Sequence, residues 1–170
     1  MILLIGVNHR VQYVSKNTDL DLVKKFIEYL ENVTSANDVE LIAEEFNQEA
    51  LLMNDTNICV ARNVSKELEV EHRFCDPDSS ERAKIGIPSE KEIKKQLGLG
   101  IILNRDESAL LKKEKARYHP IREQFWFEKI KEDLNHNIIF ICGNDHLDSF
   151  SELLVKKGCN VRILSKDWGE

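Results

Sequence analysis

The chain has 170 residues, of which 42% are hydrophobic and 32% are charged, and it carries a formal net charge of −6 at pH 7. This length and composition are typical of one globular domain and exclude a disordered or fibrous chain. The acidic balance argues against general nucleic-acid binding, which needs a positive surface to neutralise phosphates.

The start of the chain and the spacing of its cysteines both indicate the cytoplasm. The apolar run at the start lacks a basic leader and stops at Gly6, and no segment approaches the roughly 20 apolar residues of a membrane span. The four cysteines are widely spaced without a CxxC pair, which favours buried thiols over a disulfide framework or a cysteine-rich zinc site. We therefore expect a cytoplasmic protein without a membrane span, and the oligomeric state stays open.

In chain order, short β-branched apolar segments alternate with helical patterns. Strands are predicted at residues 2–7, 39–44, 70–75, 137–142 and 160–164. Amphipathic helices are predicted at residues 19–33 and 48–68, the second with a break near residues 54–57. This alternation predicts a single α/β domain over residues 1–170, with a mainly parallel sheet of about five strands and helices on both faces.

Residues 76–108 interrupt this alternation with prolines, glycines and charges, and we call this segment the excursion. It is predicted to cross the carboxyl edge of the sheet and to contain a short helix at residues 89–97, capped by Ser89 with Glu92 in a capping box. A long helical stretch then begins near Glu107. Pro120 is expected to kink or restart it, which places Arg122 close to a helix start.

Two tetrapeptides have the form GxxH, one after the first predicted strand and one after the fourth. They are Gly6-Val7-Asn8-His9 and Gly143-Asn144-Asp145-His146. Each glycine permits a sharp turn as its strand ends, and each histidine follows just beyond the carboxyl edge. If the two strands are neighbours, the two histidines can share a metal ion or a substrate oxygen.

Acidic and basic residues accompany these turns. Glu44 and Glu45 end the second strand, and because neighbouring strand residues point to opposite sides, we expect only Glu45 to join the histidines. Arg122 would supply a fixed cation for an oxyanion or carboxylate. The secondary candidates are Glu44, Asp76 and Asp145. A turn, a strand end or a surface ion pair is the purely structural interpretation of each of these residues.

This arrangement resembles the broad assemblage of erythromycin esterases, haem-binding ChaN and Tiki/TraB proteins. In that assemblage a GxxH follows the first strand, a glutamate ends the second, and another GxxH follows a late strand around a shared cleft. The matching positions here are Gly6, His9, Glu45, Gly143 and His146. Arg122 is similar to an arginine found in several members. The resemblance implies a metal-dependent protease, an esterase or a haem-binding protein, on a chain much shorter than most members.

Our leading hypothesis is a small hydrolase acting on a polar small molecule or a peptide. His9, Glu45 and His146 would hold a divalent metal (manganese, cobalt, iron or zinc) or perform acid–base catalysis without one, and Arg122 would stabilise the oxyanion. A second hypothesis is a non-catalytic module that binds a metabolite, a nucleotide or haem, with Trp126 or Trp168 as an apolar wall for haem. A third is a structural or interaction protein in which these four residues lie far apart.

Overall fold

A five-stranded, all-parallel sheet forms the centre of the protein, which we describe from a computed structural model over residues 1–169. The strands are β1 (Ile2–Val7), β2 (Leu41–Glu44), β3 (Glu71–Phe74), β4 (Ile138–Gly143) and β5 (Val161–Trp168). They are ordered β3-β2-β4-β1-β5, and every neighbouring pair is parallel. The carboxyl ends of all five strands therefore meet at one edge.

Helices make the connections between these strands. In chain order they are α1 (Leu20–Ala36), α2 (Gln48–Met53), α3 (Val60–Glu67), α4 (Ser79–Lys84), α5 (Glu90–Gln96), α6 (Arg105–Ala116), α7 (His119–Ile130) and α8 (Asn144–Lys156). Two short 3-10 turns lie at His9–Val11 and Lys131–Asp133. The predicted α/β class, with a parallel sheet and surrounding helices, is confirmed.

Two apolar clusters hold the helices to opposite faces of the sheet. On one face, Phe26 and Leu30 of α1 and Val64 of α3 pack against side chains such as Leu3 and Ile42. On the other face, the cluster includes Trp126, Ile130, Phe140, Phe150 and Leu154. Burying one such side chain completely contributes roughly 1.5–3 kcal/mol, so these two layers supply most of the force that fixes the helices.

The observed elements differ from the predicted ones mainly at their ends. The helix predicted over residues 48–68 is two helices, because the chain leaves the helical path between Met53 and Val60. The last strand runs four residues past its predicted end at Leu164 to Trp168. Trp168 packs against Phe26 of α1, at 4.7 Å between ring centroids, which keeps this end of the strand on the sheet.

The excursion is more helical than its composition predicts. The predicted helix is present as α5, with the expected capping box of Ser89 and Glu92, and α4 precedes it behind a second box formed by Asp78 and Glu81. The next helix, α6, begins earlier than predicted because Asn104 and Glu107 form a third box. These capping boxes accept hydrogen bonds from backbone N–H groups that are free at each helix start. The capping-box patterns at Asp78 and Asn104 are as clear in the sequence as the pattern at Ser89.

Gly6 is required by the neighbouring strand rather than by a turn. A Cβ atom at this position would lie 2.2 Å from the carbonyl oxygen of Lys166 in β5. The register between β1 and β5 shifts between Leu4 and Ile5 and again between Ile5 and Val7. The glycine therefore admits the backbone of β5 at the carboxyl edge.

None of the helices in the described part of the chain has both the length and the apolar character needed to cross a bilayer.

The four cysteines are free thiols. Cys59, Cys75 and Cys142 are buried, and Cys159 is half-buried.

Candidate functional site

The two GxxH turns lie side by side at the carboxyl edge. Strands β1 and β4 are direct neighbours, and their register pairs Val7 with Gly143. His9 then sits in the 3-10 turn after β1, and His146 lies in the first turn of α8. The sheet order thus meets the condition under which the two histidines can serve one site.

The histidine of the first motif lies against the glycine of the second. A Cβ atom at Gly143 would lie 2.7 Å from Nε2 of His9 and 3.4 Å from Oε2 of Glu45. The backbone of Gly143 has φ −63° and ψ 148°, which any residue can adopt. A glycine is therefore needed at position 143 because a side chain there would collide with the imidazole of His9.

A hydrogen-bonded chain fixes the orientation of His9. Nδ1 of His9 lies 2.6 Å from Oε1 of Gln12, and Nε2 of Gln12 donates to Oε2 of Glu44 at 2.9 Å. Because an ionised carboxylate only accepts, Glu44 holds the NH₂ group of Gln12 on its own side and turns the amide oxygen toward His9. An amide oxygen also only accepts, so the neutral imidazole carries its proton on Nδ1 and has a lone pair on Nε2.

Glu44 and Glu45 face opposite sides of the sheet, as the strand alternation predicts. Glu44 is completely buried on the side of α1 and α3, while Glu45 is 4% exposed and lines the cavity described below. Oε2 of Glu45 accepts the backbone N–H of Gly143 at 2.8 Å, and Oε1 accepts from Arg122 at 2.7 Å. The two carboxylates thus belong to separate polar clusters.

Arg122 is the central cation of the site. Its Nη2 donates to Glu45 and, at 2.6 Å, to Oδ1 of Asp76, to which Nε donates at 3.0 Å. Arg82 binds the second oxygen of Asp76, and Nε1 of Trp126 donates to the first. Burial lowers the pKa of Arg122, but the charges of Glu45 and Asp76 outweigh this effect and raise the pKa above its ordinary value. The guanidinium is permanently charged and most of its donors are engaged.

His146 connects Arg122 to a third buried carboxylate, Glu123. Its Nδ1 lies 2.9 Å from Oε1 of Glu123, and its Nε2 lies 3.2 Å from Nη1 of Arg122 and 3.4 Å from Oε1 of Glu45. Ser149 also donates to Glu123 at 2.6 Å. A guanidinium can donate to Nε2 only if that nitrogen has a lone pair, which places the proton of a neutral His146 on Nδ1, facing Glu123.

His119 completes this group from the first turn of α7. Its ring centroid lies 3.8 Å from that of His146. Burial lowers the pKa of His119, and the nearby His146 and Arg122 lower it further. His119 is therefore a neutral imidazole near pH 7.

These residues surround one cavity of about 600 Å³ at the carboxyl edge. Its lining includes all four main candidates from the sequence: His9, Glu45, Arg122 and His146. Asp145 also lines it and pairs with Lys112 of α6 at 2.7 Å, and this contact lowers the pKa of Asp145. The interpretation in which these residues lie far apart does not fit this arrangement.

The excursion leads into the wall of this cavity. Leu103 and four residues of α6 (Ser108, Leu111, Lys112 and Lys115) line it, so α6 covers part of the carboxyl edge. A second cavity of about 770 Å³ lies beside the first, between α4, α5 and α7. Both cavities share Lys115, His119 and Arg122 as lining residues.

Two groups of side chains bring possible metal-ligand atoms close together. Within residues 1–169, ligand atoms come within 4.8 Å of one another in two groups, His119–Glu123–His146 and Glu44–Cys59–His72. His9, Glu45 and His146 are not one of these two groups, and both oxygens of Glu45 accept hydrogen bonds, from Arg122 and from Gly143. Only His146 of the predicted ligands belongs to a converging set in the cavity.

Sequence reasoning missed Gln12, His119 and Glu123. The H-x-x-x-E spacing of His119 and Glu123 was an available signal, because residues four apart lie on the same side of a helix. Gln12 had no comparable signal, since its role depends on contact with Glu44 from another strand.

The two tryptophans considered for a haem wall lie outside the lining of this cavity. Trp126 is completely buried between the rings of Phe140 and Phe150, and Trp168 packs on Phe26 and Tyr29 of α1. The predicted apolar wall for haem is therefore not built from these residues.

Comparison with models of protein families, with curated proteins and with solved structures finds no significant match.

Proposed function

We propose that this protein is a hydrolase in which His9 acts as the general base, on a polar small molecule or a peptide. The chain of contacts Glu44–Gln12–His9 carries this proposal, because it leaves the lone pair of Nε2 at the cavity. A base oriented through Nδ1 by a buried acceptor is a recurrent solution for activating water or a hydroxyl nucleophile. Here an amide links the carboxylate to the histidine.

The cavity also offers groups for the negative charge that develops during hydrolysis. Helix α8 begins at Asn144, which lines the cavity together with Asp145 and His146, so the positive end of the helix dipole points to this space. Arg122 adds a permanent charge 3.2 Å from Nε2 of His146. An oxyanion near the start of α8 would be stabilised by this positive potential.

Glu45, Asp76 and Arg122 act in this proposal as positioning residues. Glu45 ties the start of α8 to Arg122 through Gly143, and Asp76 fixes the plane of the guanidinium. Such a network costs little reorganisation when charge develops, which is the physical basis of electrostatic catalysis. The predicted oxyanion role of Arg122 is limited to Nη1, since Nε and Nη2 already serve carboxylates.

The resemblance to the erythromycin-esterase, ChaN and Tiki/TraB assemblage is part of the same proposal. It is supported by the adjacent GxxH turns on β1 and β4 and by a glutamate after β2 that lies beside both. The esterase and protease members are the ones whose chemistry agrees with an oriented base.

A divalent ion is the alternative means of activating water in this cavity. The donor set of His119, Glu123 and His146, two imidazoles and a carboxylate, fits zinc, manganese, iron or cobalt. When bound, such an ion would lower the pKa of a coordinated water toward neutrality. His9 would then retain its role as a base at the same cavity.

The test compares His9→Ala with His136→Ala, which removes a histidine at the amino end of β4 outside the cavity lining. Both variants and the wild type are assayed with nitrophenyl esters and a peptide library, before and after chelator treatment. Loss of a general base lowers turnover by roughly 100-fold or more. We expect this loss in His9→Ala alone, and equal turnover in the two variants would contradict the proposal.

A substrate-independent measurement examines the same point. Long-range ¹H–¹⁵N spectra report which ring nitrogen of neutral His9 is protonated, and we expect Nδ1. Protonation of Nε2 in the neutral ring would remove the observation on which the proposal depends.

The second candidate is a binding module without turnover, acting on a metabolite or nucleotide. It is favoured by the adjoining cavities, because a ligand with two separated anionic groups could contact Lys115 and Arg122 from both. Ligand identified by mass spectrometry in the purified protein, together with no hydrolysis of any library member, would support this function instead.

A further inference from the structure

A second polar cluster lies on the other side of the sheet, under α1 and α3. Oε1 of Glu44 lies 2.9 Å from Sγ of Cys59 and 2.8 Å from Nε2 of His72, and these last two atoms are 3.9 Å apart. The three residues come from β2, from the residue before α3 and from β3. Three separate elements thus converge on one point.

The cluster is unusual in its burial and charge. Glu44 and Cys59 are completely buried, and the side chain of His72 is 10% exposed. A buried carboxylate is costly unless hydrogen-bond donors or a cation accompany it, and the side chains of Cys59, His72 and Gln12 are in contact with Glu44. A thiol and an imidazole placed on the same carboxylate oxygen form a donor set that suits a borderline-soft ion.

We propose that Glu44, Cys59 and His72 form a zinc site, which lies outside the cavity and shares Glu44 with the contacts that orient His9. Thiolate, imidazole and carboxylate are the three ligand types that zinc takes in proteins, and their donor atoms already lie within 4.8 Å of one another. The fourth position is left for water or another donor. Cadmium and cobalt, which share this ligand preference, are the natural probes.

Binding is balanced by the release of two protons. The incoming ion forms bonds to Sγ, Nε2 and Oε1, while the S–H bond of Cys59 and the N–H bond that Nε2 of His72 directs at Glu44 both break, and the two protons leave for solvent as the ring keeps its proton on Nδ1. The partial exposure of His72 on the edge strand β3 provides the access route.

The site lies directly behind the proposed base. Oε1 of Glu44 carries the contacts to Cys59 and His72, whereas Oε2 accepts the proton of Gln12 that orients His9. A metal on Oε1 would leave the bond to Gln12 intact and hold the carboxylate in place. The zinc site would therefore stiffen the support of His9 without entering the cavity.

The experiment is cobalt titration of the full chain purified without metal-affinity resin and stripped with chelator. Cobalt bound to a thiolate gives a near-ultraviolet charge-transfer band, which a site with only nitrogen and oxygen donors does not show. We expect the band to saturate at about one equivalent, and zinc to abolish it by displacement. The nitrogen and oxygen donors of His119–Glu123–His146 would not produce this band, so the two sites are distinguished.

Variants assign the ligands. We expect loss of the band in Cys59→Ser and His72→Asn, and its retention in Cys159→Ser, His136→Asn and His146→Ala. If Cys59→Ser does not fold by circular dichroism, the wild-type titration and His72→Asn decide the matter. A wild-type protein without a charge-transfer band, or a band that survives His72→Asn, would overturn the proposal.

Discussion

Nε2 of His9 occupies the space that a side chain at Gly143 would fill, at 2.7 Å from the ideal Cβ position. The contact joins the turn after β1 to the turn after β4. The two GxxH motifs are thus one structural unit, in which each glycine makes room for a specific neighbour.

The first prediction concerns this contact. Gly143→Ala should push the imidazole away from Gln12 and lower turnover. Because His9 is an exposed, rotatable side chain, we expect a loss of only about 0.5–1.5 kcal/mol in the free energy of unfolding, the cost of an unfavourable rotamer. Urea unfolding and the ¹⁵N shifts of His9 measure the two effects. Gly100→Ala is the control, since its nearest atom lies 3.8 Å away, and equal effects in both variants would contradict this account.

The second prediction concerns the amide between Glu44 and His9. Gln12→Leu leaves a buried carboxylate oxygen and Nδ1 of His9 without their partner, which should destabilise the protein by about 1–3 kcal/mol. The protonated ring nitrogen of neutral His9 should no longer be fixed, as long-range ¹H–¹⁵N spectra would show. Gln124→Leu removes a contact to the exposed Glu128 and should change stability by less than about 0.5 kcal/mol. A single Nδ1-protonated form of His9 in Gln12→Leu would argue against the relay.

The third prediction concerns Arg122. Arg122→Met leaves Glu45 and Asp76 buried without the cation between them, and removing one partner of a buried ion pair costs about 3–5 kcal/mol. Chemical denaturation measures this loss. Arg117→Met, which removes an exposed pair with Glu114 on α6, should cost less than about 1 kcal/mol. If Arg122→Met lowered the free energy of unfolding by no more than Arg117→Met does, the network around Arg122 would not be what stabilises the site.

The fourth prediction is a pH dependence. Hydrogen bonds from Lys94 and Lys115 lower the pKa of Glu90, which links α5 to α6. A carboxyl whose pKa is lower in the folded state stabilises the protein above its unfolded pKa, and this contribution disappears as the pH falls through the folded value. Glu90→Gln should therefore be less stable than the wild type near neutrality, by up to about 1 kcal/mol, and equal to it in acid. A difference that persists in acid or grows with salt would contradict this explanation.

The fold was predictable because its signals are local. Apolar runs of strand length and helical spacing identify the elements, and Ser89 with Glu92 marks the start of α5. The same type of signal at Asp78 and Asn104 marks two further helices in the excursion, which composition alone concealed.

The candidate site was predictable only in part. His9 and His146 follow glycines at strand ends, so the parallel sheet alone places them at one edge. The cluster of Glu44, Cys59 and His72 depends on β2 lying beside β3 and on the position of the residue before α3. Such a convergence is a property of the tertiary structure, and no spacing in the sequence encodes it.

The adjacent positions of Glu44 and Glu45 also limit how the gene can change. The two side chains point to opposite faces of the sheet and belong to different polar clusters. Inserting or deleting one residue within β2 would therefore turn each carboxylate to the other face. The buried thiol of Cys59 would then lie beside the carboxylate that normally lines the cavity. The contacts of both clusters would be lost. The length of β2 is therefore constrained on both faces, whereas exposed loops such as the one around Gly100 tolerate insertions and deletions more readily.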